Sequence, residues 1–186
     1  MSSNLNQYLK LELLDESHAE ELFLLTEKNR EFLKEWLPWV DGTKSVNDTL
    51  TFVKNSIIKN ETNNGFENII KYKNQIAGIT GLLYINHFNR KTEIGYWLGR
   101  EFNGRGIMTE ACARVINNCF TKLNLNRIEI RCAVNNKRSQ GIPERLNFTK
   151  EGILRKEVFL NGEFVDHILY SILKDEWNKI SNHIQQ

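Results

Sequence analysis

Proline is nearly missing from this 186-residue chain, which has only Pro38 and Pro143, and its 11 glycines are scattered. That excludes collagen-like and linker-type architectures. Cysteine is scarce as well. Cys112 and Cys119 fall in a helical pattern and Cys132 in a strand-like run, with no Cys-x-x-Cys pair and no His-x-x-x-His beside them. The three thiols therefore form neither a disulfide scaffold nor a metal site, and an odd number of them suits a reducing compartment. Long apolar runs are missing too. The richest, residues 76–85, is far too short to span a bilayer, and residues 1–10 lack an apolar core of signal-peptide length. The expected location is the cytoplasm, with no membrane partner. Charge of one sign is also lacking: 25 basic against 23 acidic residues leave +2. No overall field draws the chain to nucleic acid.

What is present is the composition of a soluble globular protein, 40% hydrophobic and 26% charged. A chain of this size buries about 70% of its surface, and a single domain over residues 1–186 is expected. Residues 8–14 alternate Leu9, Leu11 and Leu13 as a strand. Asp15 offers a cap for a helix to about residue 29, and Ser45 for a second to about residue 60, with Val46, Leu50, Val53 and Ile57 as its buried face. Three strand-prone runs come next, at 66–72, 75–85 and 92–98, the first two joined at Asn74. Ile107, Ala111, Val115, Cys119 and Leu123, widened by Met108, Cys112, Ile116 and Phe120, then predict a well-buried helix. Ile128, Ile130, Cys132 and Val134 alternate with Arg127, Glu129, Arg131 and Ala133 as a strand. A short helix runs to Leu146, with Asn147 suited to a left-handed end. Asn161-Gly162 marks a hairpin, and a helix over 175–184 closes the chain. The order βααβββαβαββα predicts an α+β, or mixed α/β, domain and excludes a doubly wound fold.

The chemistry-bearing segment is Trp97-Leu98-Gly99 leading to Asn103-Gly104-Arg105-Gly106-Ile107-Met108-Thr109. A strand enters a glycine-containing loop that opens the buried helix. Gly104 and Gly106 permit positive φ, and successive N–H groups at the helix start form an anion site suited to a diphosphate. No Gly-Lys-Ser/Thr is found after them, so this is not a P-loop. Thr109 stands where the third glycine of a dinucleotide fingerprint belongs. On its own the loop also reads as a tight strand-to-helix turn.

The loop, placed after Glu93-Ile94-Gly95-Tyr96-Trp97-Leu98, resembles the acyl-CoA-binding motif of the GNAT N-acetyltransferases. Asn126-Arg127-Ile128, the run from Val134 to Ser139, Pro143 to Phe148 and Glu151-Gly152 extend the match, which is similar to the RimJ/RimL branch of ribosomal-protein N-acetyltransferases. The resemblance is dense over residues 89–177 and looser before. Glu101 stands where Gln or Arg is usual, Asn147 replaces a glycine, and Pro143 replaces a tyrosine that serves many members as general acid.

The resemblance implies a central, mostly antiparallel seven-stranded sheet with one splayed parallel pair and helices on both faces. It implies acetyl-CoA as co-substrate and no metal, with direct attack of an amine on the thioester. A backbone N–H near Leu98, at a bulge in strand 92–98, would hold the oxyanion. Trp97, Leu98, residues 103–109, Asn135 and Ser139 are the expected coenzyme contacts. Asn135 reads equally as a turn residue, and Arg100, Arg105 and Lys137 as phosphate contacts or a solvated edge. Ser139 is the expected general acid, against a reading as helix N-cap. Glu93, Glu157 and His167 are the base candidates, against solvent-facing strand positions. A glutamate that some relatives place on the strand before Asn161 matches Val158 here, and Glu157 beside it is expected on the opposite face. His18, His87 and His183 carry no assigned chemistry, and Cys132 reads as a small buried hydrophobe. Phe32, Trp36 and Trp39 either line the acceptor slot or fill core.

An α-amine, with a pKa of roughly 7.7 to 8.0, needs less base assistance than lysine. The expected acceptor is therefore a protein or peptide N-terminus, a ribosomal protein by resemblance. A small amine, polyamine or aminoglycoside is the alternative acceptor, and a non-catalytic acyl-CoA-binding module the alternative class. Homo-oligomerisation is left open.

Overall fold

A computed structural model describes residues 3–184. Helix α1 (Ser3–Tyr8) and strand β1 (Leu9–Leu13) come first, then helices α2 (Ala19–Lys28), α3 (Arg30–Leu33) and α4 (Val46–Glu61). Strands β2 (Phe66–Tyr72), β3 (Gln75–Asn86) and β4 (Lys91–Leu98) lead into helix α5 (Ile107–Thr121). Strand β5 (Arg127–Ala133), helix α6 (Lys137–Arg145), strands β6 (Thr149–Leu160) and β7 (Glu163–Leu173) and helix α7 (Lys174–Ile184) complete the order. The strands form one sheet, β1-β2-β3-β4-β5-β7-β6, antiparallel except for the parallel pair β4–β5. This is the expected mixed α/β architecture. It adds α1, so that Tyr8 ends a helix instead of opening the first strand. Among the described residues no helix is long and apolar enough to cross a membrane.

Local signals set most boundaries. Ser45 and Asp48 make a reciprocal capping box at the start of α4. Lys73 and Asn74, at φ 52° and 63°, close the β2–β3 hairpin, and Asn161 and Gly162, at 51° and 86°, close β6–β7. Asn147 takes the left-handed conformation after α6, at φ 59°. Leu123 falls beyond the end of α5 and is exposed.

Register decides which helix covers which face, because residues directly opposite in a ladder point to the same side. Thr80 pairs with Tyr96 and Leu82 with Ile94, and the Thr80 hydroxyl lies 3.8 Å from Cys112 Sγ on α5. That face, continued by Ile128, Ile130, Cys132, Ile168 and Ile172, is apolar and packs on α5, whose whole predicted stripe apart from Leu123 is buried. The opposite face carries Glu67, Gly81, Glu93, Gly95, Glu129 and Arg131. Helix α4 packs on its β2 end, where Ser56 and Lys59 donate to the Glu67 carboxylate. This polar anchor turns Thr49, Val53 and Ser56 inward and leaves Val46 37% exposed, in place of the purely apolar face expected.

A partly exposed ionic cluster ties β5 to the last two strands. Arg127 grips both oxygens of Glu151 at 2.6 Å and Glu129 at 2.7 Å, and Ser171 donates to Glu151 at 2.6 Å. Bonds from Arg127 and Ser171 lower the Glu151 carboxyl from 4.5 to about 2. A depressed pKa contributes stability above the ordinary value and loses it as pH falls through the folded one. Urea unfolding should find Glu151→Gln less stable than the native chain by about 1 kcal/mol at pH 7. The difference should fade between about pH 4.5 and about pH 2.

Candidate active site

The site begins where β4 leaves β5. Their parallel register holds for three pairs only, Lys91↔Arg127, Thr92↔Ile128 and Glu93↔Glu129. At the same place Leu83 and Tyr84 of β3 face Glu93 alone, a bulge. The bulge was expected within β4 near Leu98, but from Ile94 to Leu98 the register against β3 is regular. It sits at the other end of β4, on the neighbouring strand, where extra twist accompanies the splay. Gly99 N donates to Ala77 O at 2.9 Å. By ladder alternation Trp97 and Gly95 also bond toward β3, so Tyr96 and Leu98 aim their N–H and C=O groups into the gap.

The glycine loop is tied to the end of α2 and folded back on its own start. Asn29, buried at the end of α2, accepts from Arg100 N at 2.8 Å and donates to Leu25 O at 3.0 Å. Asn103 Nδ2 donates to Gly99 O at 3.0 Å. Gly104 and Gly106 are left-handed at φ 75° and 76°, and Gly106 caps α5 without a side chain. The first N–H groups of α5 thus have no side-chain acceptor and face open space. A Cβ at Gly104 would meet nothing within 4 Å. Ile107 and Met108 bury their side chains, leaving their backbone to the loop surface, while Arg100 and Arg105 are exposed. Thr109 accepts from Arg145 on α6 at 3.1 Å. Glu101, at the departing motif position, pairs with Lys28.

Two cavities meet at the splay. The smaller, about 110 Å³, runs toward the loop past Phe32, Leu98, Asn103 and Met108. The larger, about 590 Å³, lies over the polar face, with Glu67, Gly81, Glu93, Gly95, Arg131 and His167 in its lining. Trp39, Thr49, Phe52 and Val158 also line it. Trp36, Leu37, Tyr96, Trp97, Asn136 and Ser139 border both. Of the three aromatics singled out in the sequence, none belongs to the fully buried core. Trp36 and Trp39 line the larger cavity, with Trp39 5.9 Å from Trp97, and Phe32 lines the smaller beneath Arg138.

Ser139 stands at the junction. The cap of α6 is Asn136, whose Oδ1 accepts from Ser139 N at 3.1 Å, so the Ser139 hydroxyl is free of capping. It donates to the Tyr96 oxygen at 3.2 Å and lies 3.2 Å from Cys132 Sγ. Tyr96 in turn donates to the Ser139 carbonyl at 2.9 Å. Burial holds the Tyr96 hydroxyl well above its ordinary value and raises the Cys132 thiol, so both stay protonated at neutral pH. Asn135 is exposed on the preceding turn and borders neither cavity.

Of the charged candidates, Glu93 is buried and His167 half-buried, while Glu157 is exposed. Glu93 is 9% exposed, and burial raises its carboxyl against the opposing pull of Arg131, 3.5 Å away. Arg131 also reaches Glu129 at 3.6 Å and Glu157 at 3.1 Å. Simple alternation put Glu157 on the face away from Val158. A bulge between Leu154 and Val158, with Lys156 at φ 52°, breaks that alternation and lets Glu157 reach Arg131. His167 borders the larger cavity, and burial lowers its imidazole. Sequence reasoning passed over Tyr96, Asn136, Arg131 and Thr49. Tyr96 and Asn136 lay within the quoted stretches, and Arg131 and Thr49 carried no local signal.

A splayed strand pair, an anion loop and two joined cavities define an acyl-transfer site, and the chain belongs to the GNAT acetyltransferases. The Acetyltransferase (GNAT) domain model matches residues 9–149. The chain is an N-acetyltransferase of that family. It is 37% identical over 174 residues to YdaF, a candidate ribosomal N-acetyltransferase of Bacillus subtilis, covering 92% of this chain and 94% of that one. The structure of RimL, a ribosomal L7/L12 alpha-N-protein acetyltransferase in complex with coenzyme A, superposes with TM-score 0.88 at 29% identity, covering 91% and 96%. The microcin C7 self-immunity acetyltransferase MccE, in complex with acetyl-CoA and AMP, gives TM-score 0.87 at 34% identity, covering 91% and 94%.

A Cβ would meet nothing at Gly104 and only Leu5, at an ordinary 3.7 Å, at Gly106, so both glycines are required by φ, not by room. Gly106→Ala should lower stability by about 1 kcal/mol and weaken acetyl-CoA binding about tenfold. Thermal unfolding with and without the coenzyme measures both.

Proposed function

We propose that this chain transfers the acetyl group of acetyl-CoA to the α-amine of a protein N-terminus, with ribosomal proteins as the substrate class. The observation that carries this reading is the shared wall. A narrow channel from the anion loop and a roomy cavity over the polar face meet at Tyr96 and Ser139. The likeness to YdaF and RimL supports the acceptor class.

The residues fit the coenzyme: the left-handed glycines and bare α5 N-terminus present backbone N–H groups to a diphosphate. The edge of β4 at Tyr96 and Leu98 offers main-chain groups to the pantetheine amides as a neighbouring strand would. Bound there, acetyl-CoA supplies an acyl group activated as a thioester. The Leu98 N–H donates to the acyl oxygen. Ser139 Oγ gives its proton to the departing sulfur, held in place by Tyr96. Glu93 takes the proton of the incoming amine, its raised pKa bringing it nearer the working pH. An α-amine with an ordinary pKa of roughly 7.7 to 8.0 is already about 10% neutral at pH 7, whereas lysine at about 10.4 is almost wholly charged. One buried carboxylate therefore suits the former.

Mass spectrometry of a ribosomal-protein N-terminal peptide incubated with acetyl-CoA should show one added acetyl group. The same peptide formylated at its α-amine should show none, and acetylation of its lysines would refute the reading. Ser139→Ala should lower kcat about 100-fold with little change in melting temperature. Glu93 loses its base form as pH falls through its raised pKa, so kcat/KM should drop on the acid side. Glu93→Gln should be slow at every pH and keep only the shallower acid-side fall that the amine's own titration imposes.

A further inference from the structure

Three buried polar atoms bordering the larger cavity lack a hydrogen-bond partner in the protein: Thr49 Oγ1, Arg131 Nε and His167 Nδ1. Leaving such groups unpaired costs about 1–3 kcal/mol each, so their gathering in one cavity marks a place where polar atoms are meant to arrive. They come from separate elements. Thr49 is on α4 and 5% exposed, Arg131 is on β5, and His167 is on β7. Arg131 and His167 share the polar face, since Arg131 pairs with Leu169 and Ala133 with His167. The Arg131 Nε lies 3.5 Å from Glu93 without a hydrogen bond to it.

We propose that Thr49, Arg131 and His167 determine acceptor specificity by binding the backbone carbonyl oxygens of the first residues of a peptide. The assignment rests on the α-amine reading and extends it from the amine to the peptide groups behind it. The Arg131 Nε is a donor only, the Thr49 hydroxyl can donate, and a neutral imidazole can donate through Nδ1. Such a set of donors calls for acceptor oxygens, and a peptide backbone supplies one at every residue. A polyamine brings cations and N–H donors and no acceptor oxygen, so it would leave the donors unpaired and set a positive charge beside Arg131. Trp39 and Phe52 border the same cavity and leave room for side chains.

The test is steady-state acetylation at saturating acetyl-CoA, with a tetrapeptide amide and with spermidine. Thr49→Val should raise the peptide KM about tenfold, the effect of one lost hydrogen bond, and leave the KM for acetyl-CoA and for spermidine as it was. Thr49→Ser should restore the peptide KM, and His167→Phe should act as Thr49→Val does. A second arm leaves the protein untouched: a peptide whose first amide is an alkene isostere should bind the native chain about tenfold more weakly than its parent. Unchanged peptide KM in both variants, or equal binding of isostere and parent, would mean that only water meets these atoms and overturns the assignment. An equal rise in spermidine KM would mean a packing defect and overturns it too. Failure of the native chain to acetylate any peptide is seen before a variant is made, and it removes the α-amine reading along with this one.

Discussion

Strand β4 can keep only one of its two neighbours along its full length. Pairing with β3 persists to Leu98 and beyond, while pairing with β5 stops at Glu93. Unpaired main-chain groups inside a protein are costly, and the gap leaves those of Tyr96 and Leu98 without a strand partner on the β5 side. The same divergence opens the passage between the two cavities and brings α6 across the gap. There Gln140 ties the helix to the end of β5 through Ala133 O and Val134 O. The junction at Tyr96 and Ser139, which both cavities share, lies along that divergence.

The two faces of the sheet differ in what stabilises them. Beneath α5 the packing is mostly apolar, and the hydrophobic effect carries it. The other face places carboxylates where water is scarce, so each needs a cation: Glu67 has Lys59, and Glu129 has Arg127 and Lys91. Burial works to raise the Glu129 carboxyl, and its bonds to Arg127 and Lys91 outweigh that and hold it low. Glu93 has only the looser approach of Arg131 and shifts the opposite way. One row of strand carboxylates is thereby divided into a structural member and one suited to exchanging a proton.

Much of this fold is readable in the residues because its signals are local. The stripe from Ile107 to Phe120, the turn pairs at 73–74 and 161–162, and the Ser45 cap each act within a few positions. The strand alternation of 127–134 also identifies the apolar and polar sides correctly. What local pattern misses is what the polar side faces. Glu93 and Arg131 look like solvent positions until α4 and the Trp36–Trp39 segment roof them over. Likewise the Tyr96–Ser139 contact spans 43 positions, and the Arg131–Glu157 bond spans 26, beside a bulge that no glycine announces.

The bare floor of the larger cavity at Gly81 and Gly95 carries a consequence for how this scaffold can diverge. A methyl group at Gly81 would press to 2.1 Å from the Phe66 carbonyl, so the main chain of the next strand forbids it. At Gly95 the obstacle is the tip of Leu83 at 2.7 Å, a side chain that can swing away. Of these two floor positions, only 95 can take a side chain that would shallow the chamber, while position 81 is held to glycine by its neighbour's backbone.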